Sequence, residues 1–452
     1  MNRCLKGWII FFSCLFVYLH GGDGQPVEEK TFSIALTGDS IITRKLSVYQ
    51  EPEFRKMIEL IRQADAAFTN LEILFHDYES YPMHQSGGTY MRTDPSLAAE
   101  LCWAGFDMVS RANNHAGDYG VLGMHLTTKY VDQAGLVHAG VGDSLAEARE
   151  ARFLDTAKAR LALVSCASSF PDHARAGKTR GGIPPRPGLN PLRHQTTYVV
   201  TPPQFEMLKE IGEQLGMKLS EKEEEIKFLS SRFMKGKEPQ VRTEPLKEDL
   251  EEIAAVVENA SRLADYTLVS IHAHESKKER FVPAQFLITF AHAVIEAGAD
   301  VVVGHGPHVL RGIEIYQGKP IFYSLGNFIF QNETLLRLPY ENYQRYKLGP
   351  DKHVADFNDA RYDLDRKGFP AKEEFWESVI AVPCWMGKKL EEIKLYPITL
   401  GYGKPRTVRG RPLFAEGDLR LKIIQRLKRY SQPYGTAVDY QEGIGVIRLS
   451  SQ

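Results

Sequence analysis

The amino-acid sequence predicts an α/β fold built around a central sheet, and two observations support that prediction. Short apolar runs of β type alternate with helical stretches from Thr31 to about residue 166, and again from about residue 266 to 303. Short polar clusters follow several of the predicted strands directly, as in α/β proteins that bind ligands at strand ends. The composition is that of a globular protein, because 43% of the 452 residues are hydrophobic and 25% are charged.

The strand–helix alternation is clearest in the first part of the chain. Strands are predicted at 32–36, 66–69, 108–110, 137–139 and 160–166, and helices at 53–64, 94–104 and 120–134. The helix at 94–104 starts with Asp94 followed by Pro95, a pair typical of a helix N-terminus.

The alternation stops at an insertion of about residues 171–262 and then resumes. Residues 171–203 are rich in Gly, Pro, Arg and His and are predicted to be a loop, whereas 204–262 is charged with a helical period. We therefore predict a helical insertion whose charged face meets solvent. Downstream we predict strands at 266–271 and 300–303, a helix at 283–297 and a hairpin at 309–325. Strands at 377–382 and 390–397 and a helix at 417–430 form a predicted C-terminal extension of about 375–452.

Residues 1–24 are typical of a secretory signal peptide. Arg3 and Lys6 precede an apolar run at 9–19, and small residues follow at 21–24. The run is shorter than the roughly 20 apolar residues of a membrane span. We expect an exported protein, periplasmic, extracellular or at the cell surface. Membrane association is expected only through an uncleaved or lipid-modified N-terminus.

Charge and cysteine content exclude further classes. The 56 Lys and Arg balance 57 Asp and Glu, so the basic excess of a nucleic-acid binder is missing and we expect no nucleic-acid partner. Removing the signal peptide leaves Cys102, Cys166 and Cys384, too few for a disulfide framework. We expect all three to be buried.

Five polar clusters after predicted strands suggest a metal site. They lie at 38–39, 70–72, 113–115, 272–275 and 304–308. Their carboxylates, amides and imidazoles are ligands for Mn, Zn, Fe or a similar divalent ion. The predicted metal ligands are Asp39, Glu72, Asn114, His272, His305 and His308. One or two ions are expected, and a bridging carboxylate would place two of them about 4 Å apart.

Each cluster also has a structural interpretation. Asp39 could cap a turn, and Glu72 could be a surface charge after a turn. His272 and His274 share one face at strand spacing, so one of them could be a core or rim histidine.

The order of the clusters resembles the CapA family of capsule-synthesis proteins, which is linked to poly-γ-glutamate. The most specific stretches are Arg-Ala-Asn-Asn-His at 111–115, Gly-Ala-Asp at 298–300 leading into Gly-His-Gly-Pro-His at 304–308, and Tyr-Ser-Leu-Gly-Asn-Phe at 323–328. The resemblance covers most of 32–169 and 263–330. It implies an α-β-β-α sandwich like that of the calcineurin-like metallophosphoesterases.

The resemblance also implies roles for individual residues. Glu72 would be the bridging ligand, and His115 would be the general acid that protonates a leaving oxygen. His272 matches the histidine of the family's His-Trp-Gly motif, and it is predicted to take part in catalysis as well as in metal binding. The sequence departs from the family pattern in three places. Ile41 replaces a histidine of the first motif, Glu72 replaces an aspartate, and His272-Ala-His274 replaces His-Trp-Gly.

Three polar residues are predicted to contact an anionic substrate: Asn113, Arg186 and Arg193. The two arginines lie on the Gly- and Pro-rich segment 180–193, and guanidinium groups suit carboxylate or phosphate. The alternative is that this segment is only a solvated connector.

We expect an exported metallohydrolase that acts on an anionic phosphoester or a cell-surface polymer such as poly-γ-glutamate, using metal-activated water and His115. An amide hydrolase acting on γ-glutamyl links would use the same metal chemistry. The alternative class is a non-catalytic capsule- or polymer-assembly component that retains a metal site. Expected partners are the anionic substrate or polymer and other capsule- or polymer-synthesis proteins.

Overall fold

The computed structural model describes residues 31–217, 219 and 224–449, so the predicted signal peptide lies outside the described residues. Within those residues, no helix has the length and apolar character needed to cross a membrane. In chain order the strands are β1 (Thr31–Ile41), β2 (Ala66–Leu71), β3 (Leu74–Phe75), β4 (Arg92–Thr93), β5 (Met108–Ser110), β6 (Val137–Ala139), β7 (Val141–Gly142), β8 (Arg152–Asp155), β9 (Arg160–Ala167), β10 (Gly188–Leu189), β11 (His194–Val200), β12 (Glu225–Phe228), β13 (Ser231–Lys235), β14 (Gln240–Pro245), β15 (Tyr266–His272), β16 (Val301–His305), β17 (Ile313–Tyr316), β18 (Lys319–Phe322), β19 (Asn327–Phe330), β20 (Glu377–Met386), β21 (Lys389–Thr399), β22 (Leu413–Phe414), β23 (Asp439–Gln441) and β24 (Ile444–Arg448). The helices are α1 (Pro52–Gln63), α2 (Ala98–Ala104), α3 (Gly120–Ala134), α4 (Leu145–Arg149), α5 (Pro202–Gln214), α6 (Lys247–Ser261), α7 (Gln285–Glu296), α8 (Tyr340–Arg345), α9 (Val354–Tyr362) and α10 (Asp418–Ser431).

Two mixed sheets form the centre of the molecule. The ten-stranded sheet runs in the order β23-β24-β21-β20-β1-β2-β5-β6, with β19 also paired to β1 and β22 to β21. The six-stranded sheet runs β17-β18-β16-β15-β9-β8. β1, β2, β5 and β6 are parallel to one another, as are β9, β15, β16 and β18. Each sheet therefore gathers the carboxyl ends of several strands at one edge.

Three apolar clusters define four layers. One cluster joins strand residues of both sheets, including Phe68 and Leu268, so the two sheets pack face to face. A second packs α1 and α2 on the outer face of the ten-stranded sheet, and a third packs α6 and α7 on the outer face of the six-stranded sheet. The predicted α-β-β-α sandwich is confirmed.

The outer helices follow from apolar periodicity and end signals in the sequence. In α1 the buried residues are Phe54, Met57, Ile58 and Ile61, the spacing of one helical face, and Pro52 occupies the first turn. α3 ends where Gly135 adopts a left-handed φ of 80° and the Gly135 N–H bonds back into the last turn.

The insertion differs from its prediction. It contains the helices α5 and α6, but also a four-stranded sheet in the order β12-β13-β11-β14, which the sequence did not predict. In β14, Val241 and Thr243 alternate with charged residues at a period of two, and this short pattern is hidden within a long charged stretch. Residues 335–375, where the sequence analysis placed no helix or strand, contain the short helices α8 and α9.

The C-terminal extension completes the larger sheet. β20 pairs antiparallel with β1, and β21 and β24 continue outward from it. α10 places Ile423, Ile424 and Leu427 into the core between the two sheets. The cysteine prediction holds only for Cys166, because Cys384 is partly exposed and Cys102 lies on the exposed face of α2.

Candidate metal centre

The ends of five strands bring the predicted ligands together. In the larger sheet, Asp39 of β1 lies beside Asn70 of β2 and Asn327 of β19. In the smaller sheet, His272 at the end of β15 lies beside His305 at the end of β16. Because the sheets pack face to face, acidic side chains from one sheet meet imidazoles from the other.

Asp39 is held at the centre of this group. Its Oδ1 accepts a hydrogen bond from Nδ2 of Asn70 at 2.8 Å, and its Oδ2 accepts one from the backbone N–H of Gly306 at 3.1 Å. A Cβ atom at position 38 would lie 2.0 Å from the carbonyl oxygen of Gly326, so only glycine lets β1 pass so close. Burial raises the pKa of Asp39 to about 7, because no cationic side chain compensates the carboxylate.

Glu72 follows β2 and is fully buried. Neither of its carboxylate oxygens has a hydrogen-bond partner among the described residues. Oε1 lies 3.8 Å from Nε2 of both His115 and His272, and 3.7 Å from Nε2 of His308. Burial, together with the negative charges of Asp39 and Asp118, raises the pKa of Glu72 well above its usual range.

Three of the surrounding histidines have lowered pKa values, which favour the neutral form that binds metals. Burial lowers the pKa of His305 to about 3 and that of His308 to about 4. Burial, with the nearby ring of His274, also lowers the pKa of His272 well below its usual range. His308 has a left-handed φ of 60°, and Nδ1 lies 2.8 Å from Oδ1 of Asn327, which fixes the ring despite this strained backbone.

Two groups of three side chains have the spacing of metal ligands. One is Glu72, His272 and His274, and the other is Asp39, Glu72 and His308; within each group the ligand atoms lie within 4.8 Å of one another. Glu72 belongs to both groups, as a bridging carboxylate between two ion positions would. The unpartnered oxygens of Glu72 and the unpartnered Oδ1 of Asn114 are the buried acceptors that a cation would satisfy. The donor set therefore fits a divalent metal.

His115 and its neighbours form the wall next to this cluster. Nδ1 of His115 lies 2.7 Å from Oδ2 of Asp118, whose carboxylate also accepts the backbone N–H groups of Gly87 and Met91 at 2.9 and 2.8 Å. Asn113 donates from Nδ2 to the carbonyl of Leu71 at 2.7 Å. These bonds fix the loop after β5 against the end of β2.

The cluster opens into a cavity of about 470 Å³. Asn114, His115, His274 and His308 line its polar side. The cavity is also lined by aromatic and basic residues from the end of β19 and the segment after it: Phe330, Tyr346, Arg361, Tyr362, Phe369, Lys372 and Phe375. A substrate in this cavity could reach both the imidazoles and these cations.

Comparison with known proteins shows the family of this chain. The sequence model of one family, described as bacterial capsule synthesis protein PGA_cap, matches residues 33–332, which is more than half of the chain. The chain belongs to the PGA_cap family. The resemblance to CapA proteins that the motifs predicted is thereby confirmed, and the family is one related to capsule and poly-glutamate synthesis.

Two relatives and one structure illustrate how similar this PGA_cap protein is to others. The protein y4sH of Sinorhizobium fredii is 37% identical over 441 residues, covering 92% of this chain and 93% of the relative. The PGA biosynthesis protein CapA of Bacillus subtilis is 24% identical, covering 71% of this chain and 70% of that protein. A phosphatase structure from Mycoplasma pneumoniae aligns with 11% identity and a TM-score of 0.39, covering 82% of this chain and 94% of that one.

Most residues predicted for the site of this PGA_cap protein do lie together. Asp39, Glu72, His272 and His308 form the two groups of three with His274, and Asn114 and His115 line the cavity above them. His305 lies deeper, with Nδ1 3.9 Å from Oδ1 of Asp39, and it belongs to neither group of three. The ligand role of His305 therefore stays a prediction. Asn113 is occupied by the backbone of Leu71 and by the N–H of His115, so it supports the loop after β5.

The two predicted substrate arginines lie elsewhere. Neither Arg186 nor Arg193 lines the cavity. The guanidinium of Arg193 is held by Asp249 at 2.7 Å and by Glu248 at 3.2 Å, and Arg186 donates from Nε to the carbonyl of Arg175 at 2.8 Å. The predicted contact with an anionic substrate finds no support in this geometry, because Arg193 already has carboxylate partners.

The role of one side chain of the site could not be decided from the sequence, and two others were not identified. His274 was either a ligand or a neighbour, and its Nε2 lies 3.0 Å from Nε2 of His272. Asp118, three residues after His115, and Asn327, inside the motif at 323–328, were not identified as partners of the histidines. The His-x-x-Asp spacing at 115–118 was the available signal for Asp118.

Proposed function

We propose that this chain is an exported, metal-dependent hydrolase that acts on an anionic phosphoester or on a cell-surface polymer of the poly-γ-glutamate kind. One observation carries the proposal. Glu72 is fully buried, has no hydrogen-bond partner among the residues that the structure describes, and is shared by two groups of three metal-type ligands. A buried carboxylate without partners is unfavourable, so a cation is the simplest complement.

Asp39, Glu72, His272, His274 and His308 would hold the ion or ions, and Asn114 offers an unpartnered amide oxygen beside them. A divalent cation bound there supplies a Lewis acid that polarises a substrate oxygen and lowers the pKa of a water molecule. The protein's own contribution is to hold the ligands neutral or ready to ionise in a site shielded from bulk water.

His115 is placed to protonate the leaving oxygen. The carboxylate of Asp118 accepts a hydrogen bond from Nδ1 and fixes the orientation of the ring. Nε2 is then the atom that gives up a proton on the side of Glu72, 3.8 Å from Oε1. Asp118 is a positioning residue, because the backbone N–H groups of Gly87 and Met91 hold its carboxylate in place and that carboxylate orients the ring of His115.

One observation favours a second candidate function. Ile41 lines the cavity where the family pattern of related phosphoesterases has a histidine, so one ion position has fewer ligands. A capsule- or polymer-assembly component that uses the metal only for binding is consistent with this loss. The dyad of His115 and Asp118 favours the hydrolase, because a binding site does not need an oriented acid.

Two measurements test the proposal. Elemental analysis should find near-stoichiometric metal in the wild type and lose it in the double variant Asp39→Ala/His305→Ala. His115→Ala should retain the metal but lower turnover of phosphomonoester, phosphodiester or γ-glutamyl substrates by about 10²–10⁴-fold. His125→Ala is the matched control, because that histidine is partly exposed and pairs with Asp143 away from the cavity.

The possible outcomes separate the two functions. A wild type that takes up no metal after reconstitution with Mn, Zn or Fe would exclude both. A metal-loaded wild type that hydrolyses none of the substrate classes would favour the assembly component. Unchanged turnover in His115→Ala would remove the general acid from the mechanism.

A further inference from the structure

Three cationic side chains line the cavity above the metal centre. Arg280 comes from the segment between β15 and α7, Arg361 from α9, and Lys372 from the loop before β20. The sequence analysis assigned none of them a function. They come from distant parts of the chain, yet they share one cavity with His115 and His308.

These three cations lack the acidic partners that neighbouring basic residues have. Within residues 31–217, 219 and 224–449, no carboxylate lies within ion-pair distance of Arg280, Arg361 or Lys372. By contrast, four other basic residues of the same region are paired: Arg366 with Asp363, Lys367 with Asp363, Arg406 with Glu333 and Asp359, and Arg409 with Glu333 and Asp365. Three positive charges without a carboxylate partner therefore line the cavity.

The two arginines are positioned without being neutralised. Arg280 donates to the carbonyl of Pro307 at 3.4 Å, and its guanidinium lies 5.2 Å from the ring centroid of Phe375. Arg361 donates to Oγ1 of Thr89, and its guanidinium lies 5.0 Å from the ring centroid of Tyr362. Neutral partners and aromatic faces fix a guanidinium while leaving its charge available to a ligand.

Aromatic rings form the wall between the cations and the metal ligands. Phe369 packs edge-on against Phe330 and Phe375 at centroid distances of 5.0 and 4.8 Å, and His308 lies 5.3 Å from Phe330. Such a wall accommodates the apolar part of a ligand and strengthens charge pairing by excluding water.

We propose that Arg280, Arg361 and Lys372 form an anion-binding subsite for a chain-like substrate. This inference rests on the proposed function: one polar group of the substrate lies at the metal ligands, and a neighbouring carboxylate or phosphate of the same chain lies at the three cations. The ligand class is an anionic chain with repeated charges and an apolar linker. Carboxylate and phosphate share this chemistry, and the experiment distinguishes them.

The test compares two triple variants of equal charge change. Arg280→Gln/Arg361→Gln/Lys372→Gln removes the subsite, and Arg345→Gln/Arg366→Gln/Lys367→Gln removes three surface cations from the same region that do not line the cavity. Titration calorimetry on the Mn-loaded proteins would use a γ-linked glutamate decamer in one arm and a linear poly(glycerol phosphate) in the other. The subsite variant should bind the preferred chain at least about tenfold more weakly, and the control less than about twofold.

The outcomes separate this inference from the proposed function. Equal weakening in both variants, or no binding of either chain by the wild type, would overturn the subsite. A wild type without metal that still binds a chain through these cations leaves the subsite standing and removes the hydrolase. Normal hydrolysis with an unchanged KM in the subsite variant would overturn the subsite and leave the proposed hydrolase standing. Retained metal content and melting temperature show that the variants are folded.

Discussion

Two buried charged clusters of this protein differ in how their charges are compensated. Asp249 of α6 is fully buried, and so is Asp39 of β1. Arg193 donates to Asp249 from Nε at 2.7 Å and from its backbone N–H at 2.9 Å, and Arg149 donates from Nη2 at 2.5 Å. Asn190 accepts from Nε of Arg149 at 3.1 Å. In this cluster, Arg149–Asn190–Arg193–Asp249, the buried carboxylate has cationic partners from the chain itself, and Arg149 also pairs with Glu252.

Among the described residues, the carboxylates of the metal centre have no such arginine partners. Burial by itself raises the pKa of both aspartates. At Asp249 the hydrogen bonds and charges of Arg193 and Arg149 outweigh burial and lower the pKa, whereas at Asp39 burial prevails. From this comparison we expect that removing Asp249 affects the stability of the fold, and that removing Asp39 or Glu72 affects the binding of a cation.

The largest effect is expected at Glu72. Glu72→Gln keeps the size of the side chain but removes the charge that both groups of ligands share, so bound metal and hydrolysis should fall to the background of the metal-free protein. The free energy of unfolding of the metal-free protein should stay within about 1 kcal/mol or rise, because burial disfavours the ionised carboxylate and glutamine has no charge to bury. Elemental analysis and urea unfolding in the presence of a chelator measure the two effects. Strong destabilisation of the metal-free variant would mean that Glu72 has a structural role.

Asp249 should behave in the opposite way. Asp249→Ala leaves Arg149, which is 4% exposed, without its buried carboxylate, so the free energy of unfolding should fall by about 3–5 kcal/mol. Metal content should not change in the protein that remains folded. Asp363→Ala is the control, because its pairs with Arg366 and Lys367 are on the surface and are expected to contribute about 0–1 kcal/mol. A similar small effect of both substitutions on urea unfolding would contradict the comparison.

The sequence predicts the first half of the fold closely, because apolar periodicity there is undisturbed by charge. The predicted strands 108–110 and 137–139 and the helix 120–134 coincide with β5, β6 and α3. The insertion sheet was missed because charged residues in β12, β13 and β14 weaken their period of two, and because β11 lies in the segment 171–203 that was predicted to be a loop.

The candidate site was predictable where it lies at strand ends. Asp39, Glu72, His272 and His308 follow parallel strands, and parallel strands bring their carboxyl ends together. Contacts between distant segments leave no local pattern. Arg193 lies on a segment that resembles an anion-binding loop, but its partner is 56 residues away on α6. Arg361, on the wall of the cavity, lies on a helix that no periodicity indicated.

The two clusters should also differ in whether their carboxylates release protons when a metal ion binds. Burial keeps His305 and His308 neutral at pH 6, since their pKa values are lowered to about 3 and about 4, so neither has a proton to release. Asp39, with a pKa of about 7, is protonated at pH 6 and must lose that proton to bind a cation. Addition of Mn²⁺ to the metal-free protein at pH 6 should therefore release at least about one proton per ion bound, and fewer at pH 8.

Because Asp39 must lose its proton to bind a cation, metal affinity should rise with pH up to about 7. A pH-stat titration measures both proton release and affinity. Histidines with ordinary pKa values would give the same trend, but Asp39→Asn separates the two causes. If this variant still binds Mn²⁺, it should release about one proton fewer per ion at pH 6. Asp249 is already ionised at pH 6, because its cations lower its pKa, and Asp249→Asn should leave the proton count unchanged. Metal uptake at pH 6 with no proton release would show that Asp39 and Glu72 are ionised without a cation, and the contrast between the two clusters would then be lost.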